Sequence, residues 1–456
     1  MKKTLFFLVL GLFAVLLAAP WFLGSFTERK LEERLDAGAD KRPGMAIVTE
    51  EYRRRWFSSD SRHRIVITDP RTTEALRELA GGEVFADEPA IVIDTRIEHG
   101  PLPRGADAPF RPGLSRAVST FSLDPGSDGE AVPLPGRLVT STALDGSTHA
   151  EFRLQAGSRQ LPETAGRISW EAANLDADIS ADGRRIHTRG RIGGFELVAT
   201  DRAGSGTARV RIADIEGDSI QHYSPNGLPV GPTAVTIGTV SVTEDDAGVT
   251  LQDIRLTSDG ELVGELLSGT TELQVGRIEG GGPGPVSLSV ELAIQNVHEP
   301  SLASLSDTVQ TLEGAGSQIP PGEAYRLMEP DLARLVAEGP VLDLRKLGIA
   351  LPEGEVRLTS YLALAAGGDG DGIGDTGSPL AARELLERLT GTVELRIPVS
   401  VVEQVRSIAP DAAEQLEMLI AAGMLRPDGE DYRMQAEYGN GLLTVNGLPL
   451  PIPLAW

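Results

Sequence analysis

Residues 286–292 read Val-Ser-Leu-Ser-Val-Glu-Leu, aliphatic at every second position and polar between. Successive side chains of a strand point to opposite faces, so this run belongs to a sheet with one apolar and one polar face. A helix would repeat its apolar positions every three to four residues. Residues 208–212 repeat the alternation, with Arg209 and Arg211 set between Ala208, Val210 and Ile212. Runs of the same texture occupy 64–68, 90–98, 167–172 and 354–365. Asp145-Gly146, Asp182-Gly183, Gly193-Gly194 and Asp259-Gly260 punctuate them. These dipeptides tolerate the positive φ that tight hairpins need. From about residue 45 to 295 the pattern predicts one antiparallel meander, since nothing there alternates strand with helix as a parallel sheet requires.

Helical spacing enters later, over 300–312, 323–337, 379–389 and 401–425, with Ser378-Pro379 as a cap and first-turn pair. Strands are predicted between these helices at 341–344, 354–365 and 392–399. The C-terminal run places Tyr432, Met434, Ala436 and Tyr438 on one face, turns at Gly439-Asn440-Gly441 and returns through Leu443 and Val445. The predicted fold is mainly β with an α+β C-terminal part: a long antiparallel meander or curved sheet preceded by one N-terminal transmembrane helix.

That helix is predicted from residues 4–24, which carry no ionisable side chain. At 1.5 Å per residue the run suffices for a hydrocarbon core of about 30 Å. Lys2 and Lys3 place its start in the cytoplasm and the rest of the chain across the membrane. A cleaved secretory signal is the competing reading, with Leu16-Leu17-Ala18-Ala19 near the end of the run. Pro20-Trp21-Phe22-Leu23 prolongs the apolar stretch past a plausible cleavage point and favours a retained anchor. The expected organisation is an anchor over 1–24, a helical stalk over 25–44, a β-rich meander over 45–295 and a mixed segment over 296–366. A Gly/Asp-rich linker over 367–378 and an α+β unit over 379–456 follow, with residues 280–285 as a second candidate linker.

Composition narrows the chemistry. The chain has no cysteine, which excludes disulfides, thiolate metal sites and cysteine nucleophiles. A formal charge of −24 repels phosphate backbones, so nucleic acid is not an expected partner.

Few motifs compete for a site. His99, beside Glu98 and before Gly100-Pro101, sits at a predicted strand end where an imidazole serves as an acid or base, or caps a turn. His63, His149, His187, His222 and His298 show no metal-ligand spacing. Residues 372–377 match Gly-x-Gly-x-x-Gly, but Asp369, Asp371 and Asp375 would repel a pyrophosphate and no βαβ unit surrounds them. Arg53, Arg54, Arg55, Arg62 and Arg64 form a basic cluster around Trp56-Phe57, suited to lipid headgroups or to pairing with the chain's own carboxylates. Nucleophile elbows and Walker loops are absent. The reading is therefore of a protein that is not an enzyme, with no catalytic residue, metal ligand or cofactor assigned.

Several blocks, in order along the chain, resemble the YdgA-like family of bacterial inner-membrane-anchored envelope proteins, a domain of unknown function numbered 945. They are Tyr52-Arg53-Arg54-Arg55-Trp56-Phe57-Ser58-Ser59, then His99-Gly100-Pro101, Gly339-Pro340, Glu353-Gly354-Glu355, and Tyr438-Gly439-Asn440-Gly441 through Asn446-Gly447. The resemblance marks Tyr52, Arg54, Phe57, Ser59, His99, Gly100, Pro101, Tyr438, Asn440, Gly441, Asn446 and Gly447 as family-motif positions. Arg55 departs from it, standing where the family usually has glycine. What the resemblance implies is a single inner-membrane anchor, with the bulk of the chain in the periplasm and no established catalytic residue. Three functions follow as expectations: a non-catalytic envelope component binding another envelope protein, a second copy or an apolar ligand; a lipid carrier on a curved sheet; and a hydrolase with a scattered site. A continuous apolar trough would favour the carrier, and a polar cleft with converging titratable groups the hydrolase.

Overall fold

The structure, a computed structural model, describes residues 45–67, 90–100, 113–124, 132–160, 166–200, 207–245, 247–280, 284–314, 320–367, 386–408 and 410–450. The expected anchor and stalk, Pro101, and residues 368–385 lie outside them. Among the described residues no helix is long and apolar enough to cross a membrane. The chain divides into two compact units, residues 1–220 and 221–456.

The first unit is a meander with one insertion. Strands β1 (Met45–Arg54), β2 (Ser58–Ile67), β3 (Ala90–His99), β4 (Ser115–Asp124), β5 (Val132–Thr142) and β6 (Thr148–Leu154) pair antiparallel in sequence order. The hairpin of β7 (Gly157–Gln160) and β8 (Arg167–Trp170) then interrupts, so β6 pairs instead with β9 (Ala173–Ile179). The 16-residue β10 (Arg185–Thr200) is long enough to pair with both β9 and β8. β11 (Thr207–Tyr223) follows. Gly146 and Gly183, with φ of 88° and 72°, supply the positive φ at the β5–β6 and β9–β10 turns. Asp145 accepts from the Ser147 amide and hydroxyl, and Asp182 from the Ser180 hydroxyl and Arg184 amide. These bonds hold both carboxyls below the usual carboxylate range.

In the second unit β12 (Pro229–Val230) pairs with the end of β11 at His222 and Tyr223. β13 (Thr233–Glu244), β14 (Ala247–Val263), β15 (Leu266–Glu279) and β16 (Val286–His298) then pair consecutively. Helices α1 (Glu299–Gly314) and α2 (Pro321–Ala337) intervene before β17 (Val341–Leu351), β18 (Gly354–Leu364) and β19 (Leu389–Pro398) continue the ladder. Helices α3 (Val399–Ile408) and α4 (Pro410–Ala421) and the short β20 (Arg426–Asp428) precede β21 (Asp431–Gly439), which pairs back onto β19. β22 (Leu442–Val445) and β23 (Leu448–Leu450) close the terminal hairpins.

Two expectations need correction. The helix read over 401–425 is two helices, because Pro410 lacks an amide hydrogen and its ring clashes with the preceding turn, so it begins α4 instead of continuing α3. The helix read over 379–389 does not reach its end, since Leu389 already pairs with Leu364 in the ladder. Residues 281–283 of the second candidate linker lie outside the described residues, between β15 and β16, which pair with Ile278 opposite Val286.

Candidate functional site

Register makes the second unit two-faced. Reading across the ladder, Val235, Leu256, Leu273, Val290, Leu347, Leu358, Leu395 and Met434 stand opposite one another, one per strand over eight strands. A parallel row carries Ile237, Ile254, Val275, Leu288, Ile349 and Val356. One residue along, the opposite face carries Thr236, Arg255, Gln274, Ser289, Gly348, Arg357, Arg396 and Arg433. Glu394 joins two of these arginines, with Arg396 Nε at 2.7 Å and Arg433 Nε at 3.1 Å, and its carboxyl is held below the ordinary range by those bonds.

The apolar face is closed at one end and open at the other. At the β19–β21 end Val401 and Val402 of α3, with Leu425, form a buried cluster with Ile397, against which Val356, Leu395, Tyr432 and Met434 pack. Toward β14 and β17 the rows reach solvent, with Leu256 at 40% and Ile349 at 38% exposure. Of the two rows named, only Val275 is fully buried.

In the first unit the structure brings together two motif positions. Ser59 lies opposite Ile97 in the β2–β3 register, and its Oγ is 2.7 Å from His99 Nε2, with Ser59 at 0% and His99 at 3% exposure. The His99 amide donates to Phe57 O at 2.8 Å, and the Gly100 amide to Leu114 O at 3.1 Å. Burial, reinforced by the positive charge of Arg54, pushes the His99 pKa down. His99 Nδ1 has no hydrogen-bond partner among the described residues. A serine–histidine catalytic pair needs that nitrogen oriented by a third group, and Glu98, next along the strand, projects to the other face. The Ser59–His99 contact joins β2 to β3 in the interior.

The terminal motif is also structural. Asn440 and Asn446 have φ of 53° and 49°, and Gly441 and Gly447 of 75° and 77°, which makes both Asn-Gly steps tight hairpin turns. Asn446 Oδ1 accepts from the Gln435 amide, while Nδ2 donates to Gly423 O and Met424 O, all at 2.9 Å. Tyr438 donates its hydroxyl to Leu386 O at 2.9 Å. The motif thus ties the last hairpins to the segment after α4 and to the entry of β19.

Residues 1–453 match the model of a family described as Bacterial protein of unknown function (DUF945). The chain belongs to this family. No curated protein and no solved structure matches it.

Within this family member the remaining candidates resolve as follows. Arg53 pairs with Glu51, Arg55 with Asp60 at 2.9 Å, Arg62 with Asp94 at 2.7 Å and Arg64 with Asp124 at 2.9 Å. Four of the five arginines of the basic cluster are thereby paired with the chain's own carboxylates, while Trp56 and Phe57 at the β1–β2 turn are each 53% exposed. Tyr52 faces Ser61 across β1 and β2, and Arg54 faces Ser59. His63 Nδ1 is 3.1 Å from Thr49 Oγ1, and burial lowers its pKa. Sequence reasoning missed a second polar cluster. His298 Nδ1 is 2.8 Å from Ser301 Oγ, and its Nε2 is 3.4 Å from Glu265 Oε2. The neighbouring Glu299 accepts from Ser224 Oγ and, at 2.7 Å, from Asn226 Nδ2. Ser301 is 1% exposed in the first turn of α1, so this serine, histidine and glutamate fasten the helix start and expose no nucleophile. A Ser-x-Asn loop and a His-Glu-Pro-Ser helix start are its only sequence signals.

Proposed function

We propose that this protein is a non-catalytic, membrane-tethered binder that carries the acyl chains of a lipid on the open apolar face of its second unit. The observation that carries this reading is the row from Val235 to Met434, aliphatic in seven strands and ending on methionine. Seven strand spacings of about 4.8 Å give it a length of roughly 34 Å. Protein interfaces are enriched in aromatic residues and arginine, whereas alkyl chains need only continuous aliphatic surface, and each methylene removed from water contributes about 0.8 kcal/mol. The 21-residue apolar run at 4–24 supports the setting, since it would hold the face near a bilayer with the bulk of the chain in the periplasm. Docking of another envelope protein on the same face is the second reading, favoured only by the exposure of the rows.

The test uses the full chain purified in a non-lipidic detergent, mixed with vesicles of phosphatidylethanolamine and phosphatidylglycerol and re-isolated for lipid analysis. Stoichiometric phospholipid on the wild type, reduced at least fivefold in Leu256→Asp and Ile349→Asp with unchanged circular dichroism, is the expected result. Wild type and variants that carry equal lipid would overturn the reading. A wild type without lipid, on which a specific protein cross-links to the face, would replace it by the second.

A further inference from the structure

The β6–β9 register in the first unit sets His149 opposite Asp178 and Glu151 opposite Asp176. His149 and Glu151 are two apart on one strand, and Asp176 and Asp178 two apart on the other, so all four project from the same face. One ligand atom each from His149, Glu151 and Asp176 lie within 4.8 Å of one another. We propose that these three side chains form a binding site for a divalent transition-metal ion of the zinc class.

Four features support it. The donor set, one imidazole and two carboxylates, suits a borderline cation, and ligand atoms around such an ion sit at about 2.0–2.2 Å from it, so a small rotation of the carboxylates closes the set. Asp178 Oδ1 lies 2.8 Å from His149 Nδ1. A carboxylate only accepts, so Nδ1 is the donor in that bond, which is the carboxylate–histidine support that metal-bound imidazoles use and leaves Nε2 as the nitrogen for the metal. A cavity of about 710 Å³, lined by His149, Glu151, Asp178 and His187 among others, adjoins the cluster and leaves room for water ligands. Lastly, Glu151 and Asp176 already converge on one cation, since Arg153 Nη2 is 2.7 Å from Glu151 and 3.2 Å from Asp176. Arg153 is then the group a metal displaces, which makes its removal favourable to binding. The site stands apart from the acyl-binding reading, and neither depends on the other.

Zinc binding to the full chain is measured by titration calorimetry with zinc chloride, in a non-chelating buffer at pH 7.5. The wild type is expected to bind one zinc, His149→Ala to weaken binding at least tenfold, and Arg153→Gln to strengthen it several-fold. His149→Ala leaves the acidic surface charge intact, so an equal loss could not come from diffuse attraction to a chain of net charge −24. Wild type and His149→Ala binding zinc alike, or neither binding it, would overturn the proposal. Should Arg153→Gln unfold, Arg153→Lys, which keeps a cation without the planar fork, is expected to retain the single site, and loss of zinc binding in that folded variant would count against it.

Discussion

Asn446 illustrates how a single residue joins elements. Its side chain accepts from Gln435 and donates to Gly423 and Met424, and its backbone occupies φ 49°. Asn446→Gly keeps the turn but loses all three bonds, and Asn446→Ala loses the bonds and strains the backbone as well. Unfolding should be easier by about 1–3 kcal/mol for glycine and more for alanine, read as ordered falls in thermal midpoint. Equal midpoints for both variants and the wild type would contradict the clamp. A second residue-scale expectation concerns His63 and His99, whose pKa values lie below the usual 6.5 because they are buried, His99 also because of Arg54. A histidine held neutral in the fold binds fewer protons than when unfolded, so the unfolded state gains as pH falls. Their contribution is fully present above about pH 6.5 and is lost between that value and the depressed folded pKa. The first unit should melt progressively earlier from pH 7 toward pH 5, and His99→Gln should flatten that slope. The Asn-Gly steps were legible in sequence because positive φ has few takers. The Ser59–His99 contact was not, because the two residues are 40 apart and only the β2–β3 register joins them.

Among elements, the covered and open ends of the apolar face should respond differently to substitution. Leu425 is 1% exposed beneath α3, so Leu425→Ala removes buried methyl groups and should cost about 2–5 kcal/mol. Leu256→Asp, on a residue 40% exposed, should leave the thermal midpoint within about 2 °C, because its carboxylate reaches water. A Leu256→Asp variant as damaged as Leu425→Ala would mean that the face is covered. Truncation after Gly429 tests the same end of the sheet. It deletes β21 to β23, takes Tyr432 and Met434 off the buried cluster and strips β19 of one of its two partners, leaving β18. Aggregated or degraded protein is expected, whereas a monomer with an unchanged midpoint would make the hairpins an appendage. Period-two alternation made the strands readable, since it survives any change of partner. It did not disclose that β6 skips to β9, which depends on the short β7–β8 hairpin folding on itself. Helical spacing likewise ran through Pro410, where the missing amide hydrogen ends one helix and starts another.

At the scale of the whole molecule, an open aliphatic face is tolerable only where something keeps it from meeting its own copies, and a formal charge of −24 supplies part of that protection. In the proposed carrier a bilayer tether would supply the remaining requirement, proximity to the cargo. Residues 25–44, the stretch between the apolar run and β1, span about 30 Å as a helix and up to roughly 70 Å extended. A retained anchor therefore keeps β1 within that reach of the membrane, while a cleaved signal would release the chain altogether. In the proposed topology Lys2 and Lys3 would set the direction, with the N-terminus in the cytoplasm. Reporters active only outside the cytoplasm should be active when fused after Gly38 and equally after Trp456, and the full chain should stay in the membrane pellet through an alkaline wash. Active reporters on a protein that washes off and begins near Pro20 would remove the tether. Inactive reporters would place the apolar face in the cytoplasm, and the lipid it meets there would be the inner leaflet's.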